Sequence, residues 1–230
     1  MSFVLTPPAQ TVVPVADGRS FPVHRVYCVG RNYVEHAVEM GHTGREPPFF
    51  FLKPADAVLA VPDSQTGQMA YPSLTSNLHH EVELVVAIGR GGRNIAAADA
   101  AQHVWGYAIG LDMTRRDLQS DMKKQGRPWC IGKAFEQSAP IGPVHPIAST
   151  GRLAKGAITL HVNGELRQKG DLADLIWSID EIIEHLSAAW LLQPGDLIYT
   201  GTPAGVGAVK RGDVMEGRIE GLGALRVAVV

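Results

Sequence analysis

Apolar and polar positions along this chain follow two periods. Short apolar runs bounded by glycine and proline read as strands in "VHRVYCVG", "FFFLKPADAV", "NLHHEVELVVAIG", "WGYAIGLDMT" and "PGDLIYTGTPAGVG". "AITLHVNGELRQKG" alternates on both sides of Asn163-Gly164, a dipeptide suited to a type I′ turn, and predicts a hairpin. A helical period appears in "SIDEIIEHLSAAWLL", where Ser178 and Glu181 form a capping box and Ile179, Ile182, Ile183, Leu186 and Trp190 make one apolar stripe. "RRDLQSDMKKQG" predicts another helix, "GGRNIAAADAAQHV" a third starting near Asn94, and "RNYVEHAVEMG" a short one capped by Asn32 and ended by Gly41. Residues 1–22, broken by Pro7, Pro8 and Pro14, read as an extended arm or edge strand, and residues 23–230 as one domain. Many strands with three or four helices predict an α+β fold.

One strand contradicts its own pattern. In "NLHHEVELVVAIG" the residues Val82, Leu84, Val86 and Ile88 share a face, which puts Glu81 and Glu83 together on the other. Two anions side by side in a dry sheet repel, and each costs several kcal/mol to bury unless a cation compensates. A bound hard cation such as Mg²⁺, Mn²⁺ or Ca²⁺ meets that need, with Asp112 as third ligand from a second strand where Ala108 and Gly110 leave space. The alternative is an edge strand whose glutamates face solvent.

Composition narrows the function classes. The 230 residues are 45% hydrophobic and 19% charged, enough for a sizeable core, and the net charge of −2 offers no basic surface for nucleic acid. No apolar run approaches the roughly 20 residues of a membrane helix, so a soluble cytoplasmic protein is expected. The two cysteines, Cys28 and Cys130, lack the spacing of a zinc site and read as reduced thiols.

Further candidates lie outside that strand. His36 and Glu39 stand one helical turn apart, so the carboxylate can fix the imidazole tautomer for water activation, although a solvated helix face gives the same spacing. "TGTPAGVG" lacks the spacing of a phosphate loop; it offers backbone N–H groups and the Thr200 or Thr202 hydroxyls to an oxyanion, or is a tight turn. Lys133 reads on its own as a solvated lysine.

Taken together, "CVGRNYVEHAVEM", "FLKP", "NLHHEVELVVAIG", "GYAIGLDMTRRDLQ", "KKQGRPWCIGKAF", "VNGELRQ" and "GDLIYTGTPAGVG" resemble the fumarylacetoacetate hydrolase family, in particular its short single-domain acylpyruvate hydrolases. The resemblance runs from about Val26 to the C-terminal strands. It implies a mixed sheet rolled into a barrel-like sandwich, a homodimer, and Glu81, Glu83 and Asp112 as ligands of Mg²⁺, with Mn²⁺ or Ca²⁺ as alternatives. It implies His36 and Glu39 as the water-activating dyad, Lys133 as a cation at the reaction centre, and Arg31, Arg116, Gln119, Gly201 and Thr202 as substrate contacts. Larger family members bring a further acidic ligand near the first catalytic strand; "CVGRNY" has none, so three protein carboxylates are expected.

The reaction so implied is hydrolysis of the carbon–carbon bond of a small-molecule 2,4-diketo acid, with fumarylpyruvate favoured and fumarate and pyruvate as products, as in gentisate breakdown. Residues 31–48 read as a lid, with His42 and Arg45 as partners for a distal carboxylate. The alternatives are a general acylpyruvase, oxaloacetate decarboxylation, isomerisation of 2-hydroxyhepta-2,4-diene-1,7-dioate, and a catalytically silent metal-binding scaffold.

Overall fold

The computed structural model describes residues 3–33 and 45–230. The short helix expected at "RNYVEHAVEMG", and with it His36, Glu39 and His42, lies outside the described residues.

Strand positions follow the apolar runs. The main mixed sheet is ordered Phe49–Lys53, Val26–Gly30, Leu197–Tyr199, Val82–Ile88, Val104–Leu111, Ala139–Ile141 and Val58–Ala60, with His145–Pro146 also paired to Val104–Leu111. The strand carrying Glu83 is therefore central, between Leu197–Tyr199 and Val104–Leu111, and the solvent-facing edge alternative is excluded. A second sheet, ordered Glu165–Asp171, Ala157–Val162, Val214–Ile219, Gly223–Val229 and Thr66–Met69, packs against one face of the first. Its first two strands are the expected hairpin, turning at Asn163 and Gly164 with φ of 53° and 84°, the two positive angles a type I′ turn demands. A third, three-stranded sheet joins Thr114–Arg115, Leu78–His80 and Gly207–Val209. The result is the expected α+β architecture, a curled mixed sheet closed by a second.

Both faces of the main sheet are dry. Val82, Leu84, Val86 and Ile88 join the larger core, and Leu186 and Ile183 of the helix Ile179–Ala189 pack into it. That helix starts on the predicted capping box, with Ser178 and Glu181 exchanging both bonds. Val85 and Ala87 point the other way into a second core, covered by a ribbon of Val12–Pro14 and Ser20–Pro22 that contributes Val13 and Phe21. The expected arm is thus a small hairpin laid over the sheet. The space expected beside Gly110 is taken by an aromatic ring: a Cβ there would lie 2.5 Å from the Tyr199 ring.

Two expectations of local structure differ. Asn94 starts no α-helix; it sits at φ 52°, and a 3₁₀ segment runs from Ala97 to His103. The alanine-rich stretch carries too few large side chains to anchor a full helix, so it packs on the helix Ile179–Ala189 as a tight connector between two central strands. Lys133 is not on a solvated loop: it ends a helical turn, Cys130–Lys133, and is 2% exposed.

Candidate metal centre

The carboxylates meet because of register. Glu83 pairs with Gly110 across the two central strands, and the ladder continues beyond Val82 through the bond from the Asp112 amide to the Glu81 carbonyl, 2.9 Å. Glu81 breaks the run into Leu78–His80 and Val82–Ile88, and Asp112 follows Leu111 at the strand end. One ligand oxygen from each of Glu81, Glu83 and Asp112 lies within 4.8 Å of the others, and all three residues are buried.

Three cations are built into the same place. Lys133 Nζ donates to Glu81 Oε2 at 2.8 Å, to Asp112 Oδ2 at 2.7 Å and to Thr114 Oγ1 at 2.7 Å. Arg116 donates to Glu81 Oε1 and, at 2.6 Å, to Gln119 Oε1. Lys53 Nζ lies 2.8 Å from Asp112 Oδ1 and donates to the carbonyls of Met113 and Lys133. The Asp112 contact is out of line for a hydrogen bond, so Oδ1 has an ion pair without one.

The compensation is uneven. Glu81 and Asp112 each touch cations, whereas Glu83 accepts the Gly201 amide at 2.8 Å and makes no ion pair among the described residues. Burial, with repulsion from Asp112 and then Glu81, pushes the Glu83 carboxyl well above the usual carboxylate range. Burial alone would depress the Lys133 ammonium, but Asp112 and Glu81 outweigh it and hold it above its ordinary value. An oxygen-only cluster with one undercompensated carboxylate and one oxygen lacking a hydrogen bond fits a hard divalent ion.

The hydroxyls of the glycine-rich loop are bound into the fold. Thr200 Oγ1 donates to the Leu84 carbonyl at 2.9 Å and Thr202 Oγ1 to the Val82 carbonyl at 2.7 Å. Both hydroxyls are therefore committed to zipping the loop onto the glutamate strand. Gln168 completes the clamp, its oxygen accepting from the Val82 amide and His80 Nδ1 and its amide donating to Thr202 Oγ1 and Pro203 O.

Of the other sequence candidates, Arg31, Arg116, Gln119 and Thr202 line the cavity over the cluster, together with Phe51 and Trp129. Arg45 is directed elsewhere: it pairs with Glu181 and its guanidinium lies 4.2 Å from the Trp177 ring centroid. Sequence reasoning missed Lys53, Thr114 and Gln168. Lys53 stands inside "FLKP", and its only local signal was a lysine at the end of an otherwise apolar strand.

Comparison with known proteins identifies the family and the fold. The model for the fumarylacetoacetate (FAA) hydrolase C-terminal family matches residues 25–230. A fumarylpyruvate hydrolase of Pseudomonas aeruginosa, crystallised with Mn²⁺ and pyruvate, is 55% identical with a TM-score of 0.98, covering 100% of this chain and 99% of that one. A fumarylpyruvate hydrolase of Ralstonia sp. is 44% identical over 184 residues, 80% of this chain and 93% of its own. A mitochondrial oxaloacetate tautomerase of Rattus norvegicus is 44% identical over 204 residues, 89% of this chain and 90% of its own. With its mixed sheet and buried carboxylate cluster, this chain belongs to the fumarylacetoacetate hydrolase family.

Proposed function

We propose that the protein is a divalent-metal-dependent hydrolase that cleaves the carbon–carbon bond of a 2,4-diketo acid, with fumarylpyruvate giving fumarate and pyruvate. The observation that carries this reading is the convergence of Glu81, Glu83 and Asp112 on one buried point, with Lys133 beside them. Likeness to a fumarylpyruvate hydrolase crystallised with Mn²⁺ and pyruvate supports it.

Glu81, Glu83 and Asp112 would hold the ion, with Mg²⁺ favoured and Mn²⁺ or Ca²⁺ as alternatives. When bound, it supplies positive charge where the departing pyruvate develops enolate character. Arg116 and Gln119, already joined at 2.6 Å, orient the substrate carboxylate at the mouth of the cluster, with Arg31 beside them. His36, steadied by Glu39, takes a proton from the water whose oxygen bonds to C4. Lys133, beside the cavity that Thr202 also lines, faces the resulting oxyanion. As that oxyanion collapses to a carboxylate, the C3–C4 bond breaks and its electron pair leaves on the pyruvate carbon, which is then protonated. The protein acts as a cytoplasmic homodimer in aromatic breakdown through gentisate.

A second reading, enolisation or decarboxylation of oxaloacetate, is favoured by the likeness to oxaloacetate tautomerases, because the same cluster serves any enolate. Incubation with Mg²⁺ and either fumarylpyruvate or oxaloacetate separates the two. Loss of diketone absorbance with fumarylpyruvate is expected; turnover of oxaloacetate alone would overturn the first reading.

A further inference from the structure

A cavity of about 520 Å³ opens beside the carboxylate cluster. It shares Arg31, Phe51, Trp129 and Lys133 with the smaller cavity over the carboxylates, so the two are contiguous, and a substrate whose head sits at the cluster extends its acyl chain into the larger one. Its walls are largely apolar and aromatic: Phe49 and Trp129 meet edge to face with centroids 5.3 Å apart, and Pro128 adjoins them. Such walls accept a flat, unsaturated chain.

Arg127 lines the larger cavity and not the smaller one. No carboxylate is among the residues lining the larger cavity, and Arg127 makes no ion pair or side-chain hydrogen bond among the described residues. Arg45, the other candidate for an acidic chain end, is already neutralised by Glu181.

We propose that Arg127 is a specificity-determining residue that binds the distal carboxylate of a dianionic 2,4-diketo acid, the acyl chain lying along Phe49 and Trp129. This rests on the diketo-acid hydrolase reading and names its substrate class. The head of the substrate is fixed at the cluster, so a guanidinium that lines only the adjoining cavity selects chains that end in an acid, through a charge-assisted pair.

The test compares kcat/KM for fumarylpyruvate and for acetylpyruvate, which undergoes the same cleavage but has no distal carboxylate, in the wild type, Arg127→Leu and Arg127→Lys. Loss of one charge-assisted pair predicts that Arg127→Leu lowers the fumarylpyruvate-to-acetylpyruvate ratio about 10–100-fold, mostly through KM, with partial recovery in Arg127→Lys. An unchanged ratio in an enzyme active on both substrates, whether both values hold or fall together, would overturn the role of Arg127 and leave the hydrolase reading standing. A wild type inactive on both would overturn the hydrolase reading and this inference with it.

Discussion

Lys53 donates its ammonium to the main-chain carbonyl of Lys133, so one buried lysine fixes the helical turn that presents the other to Glu81 and Asp112. The same Lys53 Nζ lies 2.8 Å from Asp112 Oδ1. A side chain paired with Asp112 thereby also positions the lysine that bridges Asp112 and Glu81.

Lys53→Met is therefore expected to cost stability as well as geometry. Removing one partner of a buried ion pair typically costs about 3–5 kcal/mol. Equilibrium denaturation should show a loss of that order with an unchanged m-value, and a variant as stable as the wild type would contradict the role assigned to Lys53.

Chelation should destabilise the protein, because Glu83 then remains buried without a compensating cation. The midpoint of thermal unfolding should fall on treatment with a chelator and recover with Mn²⁺ or Mg²⁺, rising further with ion concentration. Glu83→Gln, which removes the buried charge at nearly constant volume, should abolish that ion dependence.

Acid should weaken the fold through its partly enclosed histidines. Burial, and next the Arg116 guanidinium, pull the His79 imidazole down from 6.5 to about 4, and His80 is lowered as well, again by burial first. Between these pH values the unfolded chain takes up protons that folded His79 refuses, so stability falls as pH drops from about 6.5 and levels off below about 4 for this group. With His79 only partly enclosed, its share is at most about 2 kcal/mol after solvent screening. His79→Gln should flatten the dependence of unfolding free energy on pH across that window.

The threonine zip can be tested with little change in shape. Thr202→Val keeps the volume but leaves the Val82 carbonyl and the Gln168 amide without that hydroxyl. A loss of about 1–3 kcal/mol is expected in chemical denaturation.

Much of this arrangement was legible in the sequence because local chemistry and tertiary structure agree. The capping box at Ser178, the Asn163-Gly164 turn and the parity of Val82 to Ile88 are short-range signals, and each has its expected form. The pairing of Glu81 and Glu83 was visible as an anomaly of alternation, and the cluster brings them together with Asp112. Lys133 was hidden because its burial depends on a turn packed against distant strands, which no local period encodes. Lys53 was hidden for the same reason. The ribbon at Val12–Pro14 and Ser20–Pro22 was partly concealed by its prolines, which suit an extended strand and a ribbon edge equally.

The dyad predicts a separation between chemistry and binding. His36→Ala should abolish hydrolysis of fumarylpyruvate while leaving ion affinity intact, measured as turnover beside calorimetric titration of Mn²⁺. Unchanged turnover would remove His36 from the mechanism.

The central claim is that Glu81, Glu83 and Asp112 together hold a divalent ion. Its most direct measurement is electron paramagnetic resonance of Mn²⁺ titrated into the metal-free protein, compared with Glu83→Ala. A single bound Mn²⁺ per chain is expected in the wild type and none in the variant at the same free concentration. Equal Mn²⁺ binding by the two, or none by the wild type, would contradict it.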